Sequence, residues 1–230
     1  MKSTHFLWFA LPALISFAAC GNTSKPHSET RLSLTDKIQY TTMTINDTSM
    51  NDSIETATFG AGCFWCVEAI FLGVNGVTKV ESGYSGGQIK NPSYKEVCNG
   101  TTGHAEVCQV TFDPRVVSFA QLLEVFFETH DPTTLNRQGA DVGTQYRSAI
   151  FYHSDGQKQQ SELAIKAANE SGNWSDPIVT EVSAFDVFYK AEDYHQDYFA
   201  LHGTQPYCQM VIRPKVDKFK KKFGDLMKEK

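Results

Sequence analysis

Thr58–Ala69 reads TFGAGCFWCVEA, and the change of character inside it decides the fold. The stretch TATFGAG, ending at Gly62, reads as a short strand that closes on glycines, and CFWCVEAIFLGV, from Cys63, reads as a helix. A strand that turns directly into a helix leaves the entering residue among unpaired backbone N–H groups and at the positive end of the macrodipole. That residue is Cys63. The thiolate is the nucleophilic form of cysteine, and an ordinary thiol with a pKa of about 8.5 supplies little of it at neutral pH. Helix entry therefore predicts easier ionisation at Cys63. Cys66 follows one helical turn later on the same face, and the two thiols bracket Phe64 and Trp65. Beside a nucleophile, these two rings can form an apolar wall that holds a small methyl-bearing group over the sulfur.

Outward from this junction, strands and helices alternate. GVTKVESGYSGG is a strand closed by a glycine turn. HAEVCQVTFDP is a strand in which Glu106, Cys108, Val110 and Phe112 share one face, and Val107, Gln109 and Thr111 the other. SFAQLLEVFFETHDP is an amphipathic helix with Ser118 as N-cap and Pro132 past its end. A loop rich in Gly, Asn and Asp runs from Asp131 to Gln145, long enough to suggest a functional role. RSAIFYH reads as a strand, DGQKQQSELAIKAANESG as a helix, PIVTEVSAF as a strand and KAEDYHQDYFALHG as a helix. Antiparallel strands with helices laid on one face close most simply as an α+β fold. The expected form is a ferredoxin-like, split βαβ two-layer sandwich with helices around a mainly antiparallel sheet.

The 230 residues, 41% hydrophobic and 20% charged, fit one globular domain with extensions. A net charge of −5 gives no electrostatic case for nucleic acid as the main partner. The basic run at the C-terminus, RPKVDKFKKKFGDLMKEK, spaces Phe219 and Phe223 one turn apart between lysines, which is the pattern of a helix with a solvated face. At the other end, Lys2 precedes an apolar run from Phe6 to Ala19, too short for a membrane span and suited to a secretory signal. The small residues before Cys20 resemble a bacterial lipoprotein signal, with Cys20 as the lipidated residue. Residues 1–20 are then a signal, 21–56 a polar tether, and 57–230 a catalytic domain. The expectation is an exported lipoprotein anchored to a membrane and facing the periplasm or cell surface.

Setting Cys20 aside leaves Cys63, Cys66, Cys98, Cys108 and Cys208. An odd number in an exported chain points to at least one free or cycling thiol. The spacing of a structural zinc site is missing, so no metal is expected. GADVGT lacks the Lys-Ser/Thr of a phosphate loop, and nucleotide binding is not indicated. A thiolate attacking a polarised centre needs an acid to protonate the leaving atom. Glu106 suits that role: its same-face successors are core types, so its carboxyl points inward, and burial keeps a carboxyl protonated.

GCFWCVEAIF, SGYSGG, NPSYKEVCNGTTGHAEV, THDPTTLNRQGADVGTQYRSAIF and FYKAEDYHQDYF occur in this order between about Ala57 and Lys215. They resemble the successive motifs of the A-type peptide methionine sulfoxide reductases. The resemblance implies reduction of the S epimer of methionine sulfoxide, free or in oxidised proteins, with Cys63 as nucleophile and Phe64 and Trp65 as the methyl-holding wall. It places the acid on Glu106, hydroxyls that hydrogen-bond the sulfoxide oxygen on Tyr94 and Tyr146, and an ordering carboxylate on Asp141. It implies a Cys63 sulfenic acid, an intramolecular disulfide, and recycling by thioredoxin or another dithiol, with no prosthetic group, in a monomer. Two thiols can resolve the sulfenic acid: Cys66, as in the GCFWC form of the family, and Cys208, at the family's tyrosine-cysteine position. The expectation leans to Cys208, because a tail can approach where a rigid helix restricts Cys66. Cys98 and Cys108 are expected to be bystanders, and the AEDYHQDY stretch a supporting wall. A thioredoxin-like dithiol enzyme would place its CxxC in a different strand order and would leave Glu106 without a role.

Overall fold

The structure is a computed structural model that describes residues 53–228. The segment read as a signal, residues 1–20 with Cys20, and nearly all of the tether lie outside the described residues. Strand β1 (Glu55–Ala61) begins slightly before the boundary read at residue 57, and Glu55 already pairs with Phe112. Ala57, Phe59 and Ala61 turn into the core, while Thr58 faces the other side and bonds the His153 ring at 2.9 Å. Helix α1 (Phe64–Phe71) follows, with Cys63 as its N-cap.

The remaining elements are β2 (Val77–Ser85), α2 (Tyr94–Cys98), β3 (Ala105–Phe112), α3 (Phe119–Thr129), β4 (Arg137–Gln138), β5 (Asp141–Val142), β6 (Ser148–Tyr152), α4 (Asp155–Glu170), β7 (Glu181–Ala184), β8 (Phe188–Lys190), α5 (Tyr198–His202) and α6 (Arg213–Lys222). The main sheet has the order β7-β6-β1-β3-β2-β8. All its pairings are antiparallel except β6 with β7, so the sheet is mixed and the fold is α+β. Helices α1, α3 and α6 cover one face. There Phe59 stacks against Phe71, Phe119 and Phe126 at 5.3, 5.9 and 5.2 Å between ring centroids. Each fully buried ring contributes about 1.5–3 kcal/mol of apolar transfer, which is why this cluster anchors the two helices that flank β1. Ala105, Val107, Ala149 and Phe151 make a smaller cluster on the opposite face with Phe185 and Phe188.

Four segments differ from the sequence reading. KAEDYHQDYFALHG is not one helix. It holds a 3-10 turn at Asp193–His195, a left-handed Asp197 at φ +52°, and only then α5. The Gln196 side chain explains the break: it accepts from the Ser82 N–H and donates to the Ser82 and Ala191 carbonyls, each at 3.0 Å, so tertiary bonds to β2 outweigh helix propensity. The loop after Asp131 contains the β4–β5 hairpin and a 3-10 turn at Thr144–Tyr146. Strand β8 and helix α2 form where no periodicity announced them.

Gly62 is the hinge between β1 and α1, at φ +85°. A Cβ there would come within 2.6 Å of the Gln138 side chain. Gln138 is itself fixed by bonds to the backbone N–H and C=O of Asp131 at 3.1 and 3.0 Å, and it carries the β4–β5 hairpin. Gly62→Ala is therefore expected to cost about 1–3 kcal/mol in urea unfolding and to depress turnover by displacing the hairpin that bears Asp141.

Candidate active site

The turn from β1 into α1 delivers Cys63 to a cavity of about 110 Å³. Phe64, Trp65, Tyr94, Glu106, Asp141, Tyr146 and Tyr207 line the same cavity. Every residue assigned to catalysis or substrate binding from the sequence thus meets in one place. Their sources differ: α1 supplies the rings, α2 supplies Tyr94, and β3 supplies Glu106. The β4–β5 hairpin supplies Asp141, and the 3-10 turn after it supplies Tyr146.

Glu106 points inward as its strand parity predicts and is 1% exposed. Its Oε2 accepts from the Phe64 N–H at 3.1 Å, one residue past Cys63. Burial drives this carboxyl well above the usual carboxylate range, and the neighbouring Cys63 sulfur pushes the same way. The single Phe64 donor opposes both and loses. Glu106 therefore holds its proton to higher pH than an exposed carboxyl does. The phenols of Tyr94 and Tyr146 are likewise pushed up, chiefly by burial, and stay hydroxyl donors.

The thiols differ from expectation. Cys63 sits at the helix entrance, but its side chain makes no capping hydrogen bond. Cys63 shares a proton with Cys66. That sharing, together with burial, holds the Cys63 thiol well above the ordinary value, although the Tyr207 hydroxyl and the Trp65 N–H pull it down. Cys66 is the sulfur held low, chiefly because Cys63 donates to it. The helix entrance orients the Cys63 sulfur but does not lower its pKa.

The aromatic wall has its own support. The Trp65 indole N–H donates to His195 Nδ1 at 3.2 Å, so the His195 ring proton lies on Nε2, which is 3.9 Å from Glu192. Glu192 also accepts from the Tyr84 hydroxyl at 3.0 Å and from the Tyr94 N–H at 2.9 Å, tying both to the wall. The Tyr198 ring lies parallel to Trp65, with centroids 3.7 Å apart. Phe64 packs on His195 at 5.0 Å.

Sequence reasoning missed Tyr207. Its hydroxyl reaches Asp141 at 3.2 Å and also contacts Cys63, so it links the hairpin to the sulfur. Its position next to Cys208 was the available signal, since a chain that brings Cys208 toward the site brings its neighbour too. Cys208 itself is 0% exposed, inside a π-helical turn (Cys208–Ile212) that runs straight into α6, not on a free tail. Cys108 is wholly buried, and its S–H donates to the Phe64 carbonyl at 3.4 Å. Cys98 is half-buried beside Tyr94.

The family model for peptide methionine sulfoxide reductase matches residues 55–227. The MsrA enzyme of Leptospira borgpetersenii is 56% identical over 176 residues, covering 76% of this chain and 99% of that one. The MsrA of Saccharolobus solfataricus is 54% identical over 175 residues, 76% of this chain and 98% of that one. Among solved structures, methionine sulfoxide reductase A of Corynebacterium diphtheriae superposes with a TM-score of 0.62 at 34% identity, covering 68% of this chain and 78% of that one. The reduced form of Mxr1 from Saccharomyces cerevisiae gives 0.61 at 34% identity, covering 69% and 91%.

A carboxyl raised by burial makes the native state bind a proton that the unfolded chain releases, so the stability it confers is lost as pH rises toward its folded pKa. Urea unfolding of Glu106→Gln should therefore show a gain in stability over the parent that is larger at about pH 8 than at about pH 5.

Proposed function

This chain belongs to the peptide methionine sulfoxide reductases, and on that premise we propose how its cavity reduces the S epimer of methionine sulfoxide and then regenerates itself. The observation that carries the reading is the meeting of the buried Glu106 carboxyl, the Cys63 sulfur and the Phe64–Trp65 wall in one cavity. The methyl group packs against the rings of Phe64 and Trp65. The sulfoxide oxygen receives hydrogen bonds from the Tyr94 and Tyr146 hydroxyls and a proton from Glu106. Asp141, hydrogen-bonded to Tyr207, orders that side of the cavity.

With the oxygen protonated, the substrate sulfur becomes electrophilic and the Cys63 sulfur attacks it. The oxygen ends on Cys63 as a sulfenic acid, methionine leaves, and the cysteine sulfur has lost the two electrons that the sulfoxide sulfur has gained. To attack, Cys63 must give up its proton. The adjacent Cys66 sulfur, which already accepts the Cys63 S–H, takes it.

For resolution we favour Cys66 over Cys208. Cys66 touches Cys63 and is the thiol held low, whereas Cys208 is enclosed in the π-helical turn. Condensation of the Cys66 thiol with the sulfenic acid forms the disulfide and releases water. A thioredoxin-like dithiol then reduces that disulfide by exchange. No prosthetic group enters the sequence of steps. For the fold, the order β6-β1-β3-β2 with antiparallel neighbours supports a ferredoxin-like split βαβ core, β7 and β8 being edge additions. We further propose, on the sequence alone, that the chain works as an exported monomer anchored through a lipidated Cys20 and repairs oxidised proteins.

Reduction of each sulfoxide epimer by dithiothreitol tests the reading. Turnover is expected with the S epimer alone, abolished in Cys63→Ser and lowered about 10²–10⁴-fold in Glu106→Gln. Peptide mapping of protein oxidised by one equivalent of substrate should find a Cys63–Cys66 bridge. A Cys63–Cys208 bridge as the first product would overturn the assignment of Cys66.

A further inference from the structure

Glu68 is a buried carboxyl on α1 that the reaction does not use. It is 2% exposed. Its Oε1 accepts from the Ser82 hydroxyl of β2 at 3.2 Å, and its Oε2 from the Tyr198 N–H at 3.3 Å. The Asp197 N–H donates to it as well. Among the described residues, no ion pair involves it. Buried carboxyls are uncommon without a paired cation, so the three donors call for a reason beyond charge.

The geometry points to Glu68 as a positioning residue for substrate: its carboxylate clamps the left-handed Asp197–Tyr198 turn onto α1 and β2, and the Tyr198 ring so held fixes Trp65. This rests on the reading of Trp65 as the wall that receives the methyl group. Asp197 occupies φ +52°, ψ +27°, a conformation that a side chain other than glycine, asparagine or aspartate rarely adopts and that needs outside bonds to persist. Glu68 supplies them at the residue itself and at the next. Tyr198 then stacks on Trp65 with 7° between ring planes, and its hydroxyl is held at the far side by Gln205 at 2.9 Å. The titratable groups that face Glu68 are Asp197 from the turn and Cys108 from β3, and the charges of both oppose its ionisation or are opposed by it.

Only the ionised carboxyl can accept from all three donors without an extra proton to place. Burial, with the Asp197 charge adding to it, lifts the carboxyl to about 7. The clamp is thus fully engaged above that pH and weakens as pH falls through it. Lost wall order should appear in substrate binding, not in the chemical step.

The test is single-turnover reduction of a peptide containing methionine S-sulfoxide by pre-reduced full-length protein, from about pH 6 to pH 8.5. In the parent, the half-saturating peptide concentration should rise as pH falls, with a midpoint near 7, while the saturated rate follows Glu106 and the thiols. Glu68→Gln should raise that concentration about tenfold at pH 8, leave the saturated rate within about twofold, and flatten the profile, because an amide oxygen cannot replace both carboxylate acceptors. Ser82→Ala removes one donor from the anion and should move the midpoint upward; it carries the test should Glu68→Gln not fold. In a Tyr198→Leu background, Glu68→Gln should add nothing further. An unshifted midpoint in Ser82→Ala, or an unchanged half-saturating concentration and profile in Glu68→Gln, overturns the inference while leaving the reductase reading intact. Failure of the parent to reduce the peptide would instead remove that reading.

Discussion

The hydrogen bond from the Phe64 N–H to the Glu106 carboxyl, at 3.1 Å, is the constraint on which the site depends. It ties the head of α1 to β3, so Cys63 and Glu106 are fixed by the same contact. There the Glu106 carboxyl and the Cys63 thiol are both held well above their ordinary values. A permanently ionised Cys63 beside an ionised Glu106 would place two like charges in a cavity walled by rings, which burial disfavours strongly.

Holding an acid in that state costs stability, and the fold offsets the cost elsewhere. The Phe59 cluster packs α1 and α3 on the sheet behind the site, with rings stacked on three sides. In front, the structure spends polar contacts on the wall: Glu192 on Tyr84 and Tyr94, His195 on Trp65, Gln196 on Ser82, and Glu68 on Tyr198. These bonds draw the segment from Ala191 to Tyr198 across the edge of β2. From this broken helix both His195 and Tyr198 reach Trp65.

What the sequence disclosed follows from which constraints are local. The strand-to-helix switch at Gly62, the parity that turns Glu106 inward and the Ser118 cap depend on neighbouring residues, and all were legible. Tyr94, Tyr146 and Asp141 could be assigned only through resemblance to a family, since a buried tyrosine or a loop aspartate carries no spacing signal of its own. What escaped was tertiary. The Gln196 bonds that stop a helix, the Tyr207 bridge from Asp141 to Cys63, and the pairing that raises one thiol while lowering the other involve groups far apart in the chain or a proton shared between two side chains. Periodicity cannot see these. The lean toward Cys208 as the approaching thiol rested on treating its segment as a tail, and the π-helical turn with its buried sulfur supplies a different setting.

The central claim is that the sulfoxide oxygen passes to Cys63 with Glu106 as the proton source. It is tested most directly by a single turnover of protein in which Cys66 and Cys208 are both serine, followed by a sulfenic-acid-specific label and peptide mass analysis. The account predicts one methionine formed per protein and one label, on Cys63, with both lost when Glu106 is also changed to glutamine. Methionine formed with the label on another cysteine, or formed at full rate without the Glu106 carboxyl, would contradict it.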